Sequence, residues 1–475
     1  MMRADVVLVA LLVGALSLLL GGCENSSDEE PLPVDPTPNE GTLGFINLVR
    51  DAPPLTVAYN GTNGGSSVFQ LDYGEALRLV TVLGGYDVRI SYAGAAEEVV
   101  LLDLSGTENV KLFGEDEITL LLTGTLADLA HQFIDNEEYF IGTAADGAGV
   151  TKDPDVQFLH GVEGQGALDF HLTASGEALG AASPMASLAY LETSDIVVLE
   201  PSDDYRLRVT PAGDATTILY DSGVIAYGVN SRRLAAAIDY FGPVDAELRV
   251  REITDLSVGY PNESLPGLVR FGNLVADAPA VDVYFGATSG TPVLTDVAFE
   301  SVSGYLETTG ASTSVNITAA GMPSELVWSD EVPVSNGQVA SLYVAGVLVD
   351  TGGDFPPGVV AVQVEDDFRP IAGAANVNLV VGSRTDVFNV YFLSPGQPAI
   401  DTVPDFDPLA ASGSAVFQAG SYDLLVESGQ SGFQIWGPER VEIEAGNAYT
   451  LTLSETAGGG NPLTVSLTAE PLTTD

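Results

Sequence analysis

From residue 43 onward, polar and apolar residues alternate in short runs rich in β-branched and aromatic types, and Gly, Pro, Asn and Asp bound each run. A period of two sends alternate side chains to opposite faces, so these runs predict β-strands with one buried face. No long stretch carries a 3.6-residue period; Leu126 to Ile134 offers at most one short helix.

The runs recur in a fixed order. Phe45-Ile46-Asn47-Leu48-Val49-Arg50-Asp51-Ala52-Pro53 returns as Phe271-Gly272-Asn273-Leu274-Val275-Ala276-Asp277-Ala278-Pro279, with weaker echoes at Phe158-Leu159-His160-Gly161-Val162 and Val377-Asn378-Leu379-Val380. The marker positions 47, 160, 273 and 378 lie 113, 113 and 105 residues apart. A second strand follows in each copy: Leu55-Thr56-Val57-Ala58-Tyr59, Leu168-Asp169-Phe170-His171-Leu172, Val281-Asp282-Val283-Tyr284-Phe285 and Phe388-Asn389-Val390-Tyr391-Phe392. Later come strands opening on Tyr86, Tyr205 and Tyr422, a place shared by Trp328, Trp436 and Tyr220, and a closing apolar strand. Self-similarity at such a period marks tandem repeats. The copies span 42–152, 153–265, 266–371 and 372–475. Strands every 8 to 12 residues or so in a unit near 110 residues predict an all-β chain of tandem immunoglobulin-like β-sandwich domains, with a barrel as the alternative.

The opening motif resembles the bacterial domain of unknown function 4397, whose units begin with a strand, a His or Asn, a turn containing Pro and Asp, a Val-Asp-Val-Tyr strand and later a Gly-x-Tyr strand. The third copy carries the resemblance through Asn273, Asp277, Ala278, Pro279, Asp282, Val283 and Tyr284. The first copy is close; the second, where Glu163-Gly164-Gln165-Gly166 replaces the turn, and the fourth diverge. The resemblance covers residues 43 to 470; it implies the sandwich fold and no established activity.

Ahead of the repeats, Met-Met-Arg-Ala-Asp is followed by an uninterrupted apolar run, Val6 to Leu20, and then Gly21-Gly22-Cys23. As a helix the run would extend about 22 Å, short of a hydrocarbon core of about 30 Å. Residues 1–22 therefore read as a secretory signal, and a cysteine directly after the small residues marks it as a lipoprotein signal with Cys23 as the lipidation site. Glu24 after the cysteine resembles Gram-negative lipoproteins passed to the outer membrane. Residues 23–41, acidic, Pro-rich and free of aromatics, cannot offset their ordering entropy and read as a disordered tether.

Cys23 is the sole cysteine, so the repeats fold without disulfides or a cysteine zinc site. Sixteen basic against 66 acidic residues give a net charge of −50, which repels nucleic acid and anionic headgroups. Lys111 and Lys152 are the only lysines.

Candidate chemistry is sparse. His131, His160 and His171 follow no repeated metal-ligand spacing, and Asn47, Asn273 and Asn378 stand where His160 does, which points to a polar side chain serving a turn. No nucleophile elbow, P-loop or zinc helix is present. Asp401, Asp405 and Asp407, or Asp350 with Asp354, would suit calcium only outside any EF-hand spacing and read as solvated loops. Asp51 and Asp277 are expected to accept backbone N–H groups in their turns, Tyr86, Tyr205 and Tyr422 to form tyrosine corners or core, and Trp328 and Trp436 to pack inward rather than stack on sugars. Catalytic, cofactor and metal residues are therefore assigned as none. The expected function is an envelope lipoprotein of tandem modules, held by lipid on Cys23, acting as a spacer, adhesin or binder of protein or glycan. The alternatives are a glycan hydrolase with one specialised copy and a calcium-stabilised adhesin.

Overall fold

A computed structural model describes residues 40–470 except 94–97, 113–116, 137–141, 144–152, 182, 230, 244–245, 247, 254–257, 279, 309, 350–357, 385, 398–404, 407–409, 412–413 and 461. The third unit shows the architecture most simply. Its eight strands are Gly267–Val275, Ala280–Phe285, Leu294–Ala298, Leu306–Thr308, Thr313–Ala319, Met322–Val332, Val339–Val347 and Gly358–Glu365. They form two sheets, ordered fourth-first-seventh-eighth and third-second-fifth-sixth. The first and seventh strands run parallel while the other pairings are antiparallel.

The same order holds in all four units, whose first strands are Glu40–Val49, Asp155–His160, Gly267–Val275 and Ala374–Val381. Each lies parallel to the counterpart of that seventh strand, Glu117–Gly124, Ser231–Asp239, Val339–Val347 and Ala448–Glu455 respectively, short extra strands preceding it in units one, two and four. The chain is thus a series of two-sheet sandwiches, as the alternation indicated. The strand order differs from the immunoglobulin arrangement, where the first two strands share a sheet; here the second strand crosses at once to the opposite sheet. Leu126 to Ile134 is not helical: Leu129–Asn136 is the last strand of the first unit's first sheet, paired with Glu117–Gly124.

Each sandwich closes over its own core, built on Phe45, Tyr86 and Leu120, on Phe158, Phe170 and Tyr220, on Phe271, Ile317 and Leu342, and on Phe388, Leu424 and Leu451. The register places Tyr220, Trp328 and Trp436 at one position, opposite Val209, Ile317 and Val426, with Leu102 there in the first unit.

The first strands of the last three units are buried at every position, so both of their faces are covered. One face meets the unit's own core and the other meets a neighbouring unit. Between units one and two, Ile46, Leu48, Leu121 and Ile134 pack on Leu159, Leu234, Ala236 and Ile238. Between units three and four, Leu274, Tyr343, Ala345, Val362 and Val364 pack with Val380. The two pairs repeat one contact: a Cβ on Gly161 would lie 2.8 Å from Leu48 Cδ1, and one on Gly382 would lie 2.8 Å from Leu274 Cδ1. Leu48 and Leu274 meet Gly161 and Gly382 in the same way, leucine on the first unit of each pair and glycine on the second.

Charged groups finish the junctions. Arg270 of unit three is buried against Glu470 of unit four, with Asp366 at 3.3 Å and Tyr305 beneath its guanidinium. Burial raises the Asp366 pKa, and Arg270 opposes that rise. Such a pair costs desolvation and fixes register more surely than it stabilises. Arg369, in the connection between units three and four, reaches back to unit one, donating to the Ala52 carbonyl and to Asp72 at 2.9 Å. Ala372 N–H donates to the Asp51 carbonyl at 2.8 Å. The repeats are therefore docked on one another.

Candidate functional site

The buried marker positions resolve into local scaffolding. Asn47 and Asn273 are fully buried, and each carboxamide accepts the N–H two residues on, Val49 at 3.0 Å and Val275 at 3.1 Å. Their Nδ2 groups donate to backbone carbonyls of Leu71, and of Ala278 and Val297. His160 reproduces this with a ring: Nδ1 accepts Val162 N–H at 3.3 Å and Nε2 lies 2.9 Å from the Gly166 carbonyl. Those partners fix the neutral tautomer protonated at Nε2, and burial lowers the pKa. In the fourth unit the equivalence differs from the sequence reading. Leu379 pairs with Leu451 as Phe45 does with Leu120, so Val381 occupies the marker place and Asn378 lies three residues earlier. Valine has no acceptor for the N–H two residues on, so unit four does without this side-chain contact.

The remaining expectations also fall into place as structure. Asp51 accepts Leu126 N–H at 2.7 Å, and Asp277 accepts Leu348 and Val349 N–H at 2.7 and 2.8 Å, tying each first turn to the loop after the seventh strand or its counterpart. Tyr86, Tyr205 and Tyr422 donate to the carbonyls of Val82, Glu200 and Gln418, four or five residues upstream, as tyrosine corners do. Trp328 and Trp436 are half-buried against their cores. The exposed His131 meets Phe133 edge-on. Cys23 and the side chains of Asp350, Asp354, Asp401, Asp405 and Asp407 lie outside the described residues, among which no group of three His, Cys, Asp or Glu is placed to hold a metal.

The units differ on the outward face of the second sheet. Its central position is Ala58 in unit one, His171 in unit two, Tyr284 in unit three and Tyr391 in unit four, each pairing across to Arg89, Arg208, Asn316 and Leu425. In unit two this face is covered. His171, Thr173, Arg208 and Thr210 are all buried, and the eleven-residue connection 175–185 between second and third strands lies over them. Arg208 donates Nη2 to the Glu177 carbonyl at 2.8 Å and to Thr173 Oγ1, while buried Leu179 sits outside the core cluster. His171 Nε2 meets Thr210 Oγ1 at 3.3 Å, its Nδ1 has no hydrogen-bond partner, and burial lowers its pKa. In unit three, Tyr284 is buried and Asn316 donates to the Gly286 carbonyl at 2.8 Å.

In unit one the same face is open. The connection between second and third strands shrinks to four residues, 62–65, and Ala58 leaves empty the volume that an aromatic ring fills elsewhere. A groove of about 320 Å³ results, lined by Ala58, Asn60, Ser66, Val68, Asp87, Arg89 and Asp103. Among the described residues Arg89 holds one exposed pair, with Glu98 at 3.3 Å, a contact worth little in water. Asp103 stands where unit two has Asp221, which binds Arg206 through two bonds of 2.6 Å; in unit one that arginine is replaced by Asp87. The groove thus combines one exposed guanidinium, two carboxylates, small hydroxyls and the 68% exposed Val68. The sequence held a signal for it in the four second strands, where alanine stands against histidine and two tyrosines.

Residues 267–391 match the family described as Domain of unknown function (DUF4397). The matched stretch runs from the first strand of unit three into the second strand of unit four. Within the DUF4397 match, Asn273, Asp277 and Asp282 hold backbone N–H or carbonyl groups, so the motif's polar residues serve the turns and the open groove lies elsewhere. No curated protein matches the chain. Among solved structures it is similar to "The Bacillus anthracis TIE protein" at 10% identity, over 90% of this chain and 75% of that one, with a TM-score of 0.13. A likeness of that degree carries no argument about fold or function.

Proposed function

We propose that this chain is a non-catalytic binding protein of the cell envelope, anchored by lipid on Cys23, whose docked repeats form a platform that presents unit one to a ligand. The observation that carries this reading is the open face of unit one, at a position covered by the chain itself in unit two. Mutual docking of the units favours a platform over an extended spacer. Asp72 pairs with Arg369, and Asp366 with Arg270, at contacts between units, where these carboxylates serve assembly. Two measurements test it. The full chain is expected in the membrane fraction with labelled lipid, and Cys23→Ala is expected in the soluble fraction. The chain from residue 24 is expected to bind a saccharide or peptide panel through unit one, with Ala58→Tyr abolishing that binding. Turnover of a glycan, or binding indifferent to Ala58→Tyr, would overturn the reading.

A further inference from the structure

We propose that the open groove of unit one receives an extended peptide strand of a partner protein, with a basic side chain seated between Asp87 and Asp103. The inference rests on the binding-protein reading and names its ligand class. Unit two supplies the template within the same molecule. There, Arg208 at the position of Arg89 grips a main-chain carbonyl of a segment laid across the sheet, Thr173 at the position of Asn60 shares that guanidinium, and Asp221 at the position of Asp103 takes an arginine in bidentate contact. In unit three Asn316 at the same position also donates to a main-chain carbonyl, that of Gly286 at the end of the sheet's own second strand. Unit one keeps the arginine and the aspartate but, among the described residues, lacks both the covering segment and the cationic partner, so a peptide from elsewhere completes the arrangement. Its carbonyl takes Arg89, which gives up the exposed Glu98 pair, and its Lys or Arg takes the place that Arg206 fills in unit two. The exposed Val68 offers the neighbouring apolar contact. Charge points the same way: a chain of net charge −50 draws a cationic ligand toward it and repels an acidic one.

The test uses labelled peptides of eleven residues, the length of the covering connection in unit two, carrying a central Arg or Lys, each matched to the same peptide with Glu at that place. Binding to the chain from residue 24 is read by fluorescence polarisation. Basic peptides are expected to bind at least about tenfold more tightly than their Glu counterparts, the effect of one charge-assisted contact. Asp103→Asn is expected to erase most of that difference, Arg89→Ala to weaken every basic peptide, and Ala58→Tyr to close the groove with the melting temperature unchanged. Equal binding of basic and acidic members, or retention by Arg89→Ala and Ala58→Tyr, overturns the proposal. A saccharide panel run alongside separates the two levels. A sugar bound in a manner sensitive to Ala58→Tyr, with no basic peptide retained, overturns the peptide ligand and leaves the binding role standing, whereas retention of neither class overturns both.

Discussion

Replacing Gly161 by Ala tests the packing of units one and two without touching either core. A Cβ there lies 2.8 Å from Leu48 Cδ1 and 3.1 Å from the Ala237 carbonyl. The backbone oxygen cannot retreat, and Leu48 is buried among Ile46, Leu121, Leu159 and Ile238, so the added methyl overpacks the junction. Overpacking of this kind costs about 1 to 3 kcal/mol, while alanine at a permissive backbone position returns about 0.4 to 1 kcal/mol by restricting the unfolded chain. The backbone at Gly161 is not in the left-handed region, so the methyl's space decides the sign. Leu48→Ala alone removes a buried side chain, at about 2 to 5 kcal/mol. It also removes the carbon that the new methyl would strike, leaving only the Ala237 carbonyl close to it. In that background Gly161→Ala is expected to cost less than in the native chain, giving a coupling of about 1 to 2 kcal/mol. Urea unfolding of the four species measures this, with the slope checked for constancy. Additivity within about 0.5 kcal/mol would refute the sheet-on-sheet contact.

Three further outcomes follow from particular contacts. Burial lowers the pKa of His160, so as pH falls past the unfolded value of about 6.5 the unfolded chain takes the proton first and stability declines, until the folded ring is protonated as well. His160→Asn, the residue of units one and three, should flatten that decline in a pH series of urea melts; an unaltered slope would count against a His160 ring held neutral by burial. Tyr86→Phe leaves Val82 carbonyl and Thr81 without the buried hydroxyl and should cost about 0.5 to 1.5 kcal/mol in urea unfolding; an unchanged stability would refute the corner's contribution. Arg369→Ala should raise hydrogen exchange at Ala372, whose N–H is held by the Asp51 carbonyl, while amides inside the third sandwich stay protected; unchanged exchange there would mean that the connection is held to unit one by other contacts.

Periodicity and self-similarity determined that this is an all-β chain of repeated sandwiches, because strand alternation and turn residues are local and each copy repeats them. The same signals placed the tyrosine corners and the shared Tyr220, Trp328 and Trp436 position, whose partners lie within one unit. Tertiary structure decided what local pattern cannot encode. Continuous apolar runs such as Phe45-Ile46-Asn47-Leu48-Val49 read as ordinary strands, yet their second face meets another unit, and nothing in the run itself says which surface will cover it. Strand order was equally hidden, since alternation is identical for either sheet assignment. The fourth marker was misplaced because an asparagine in an outward position looks the same in sequence as one turned into the core. The groove of unit one arose from an absence, a missing ring and a shortened connection, and an absence becomes a site only when neighbouring strands enclose it.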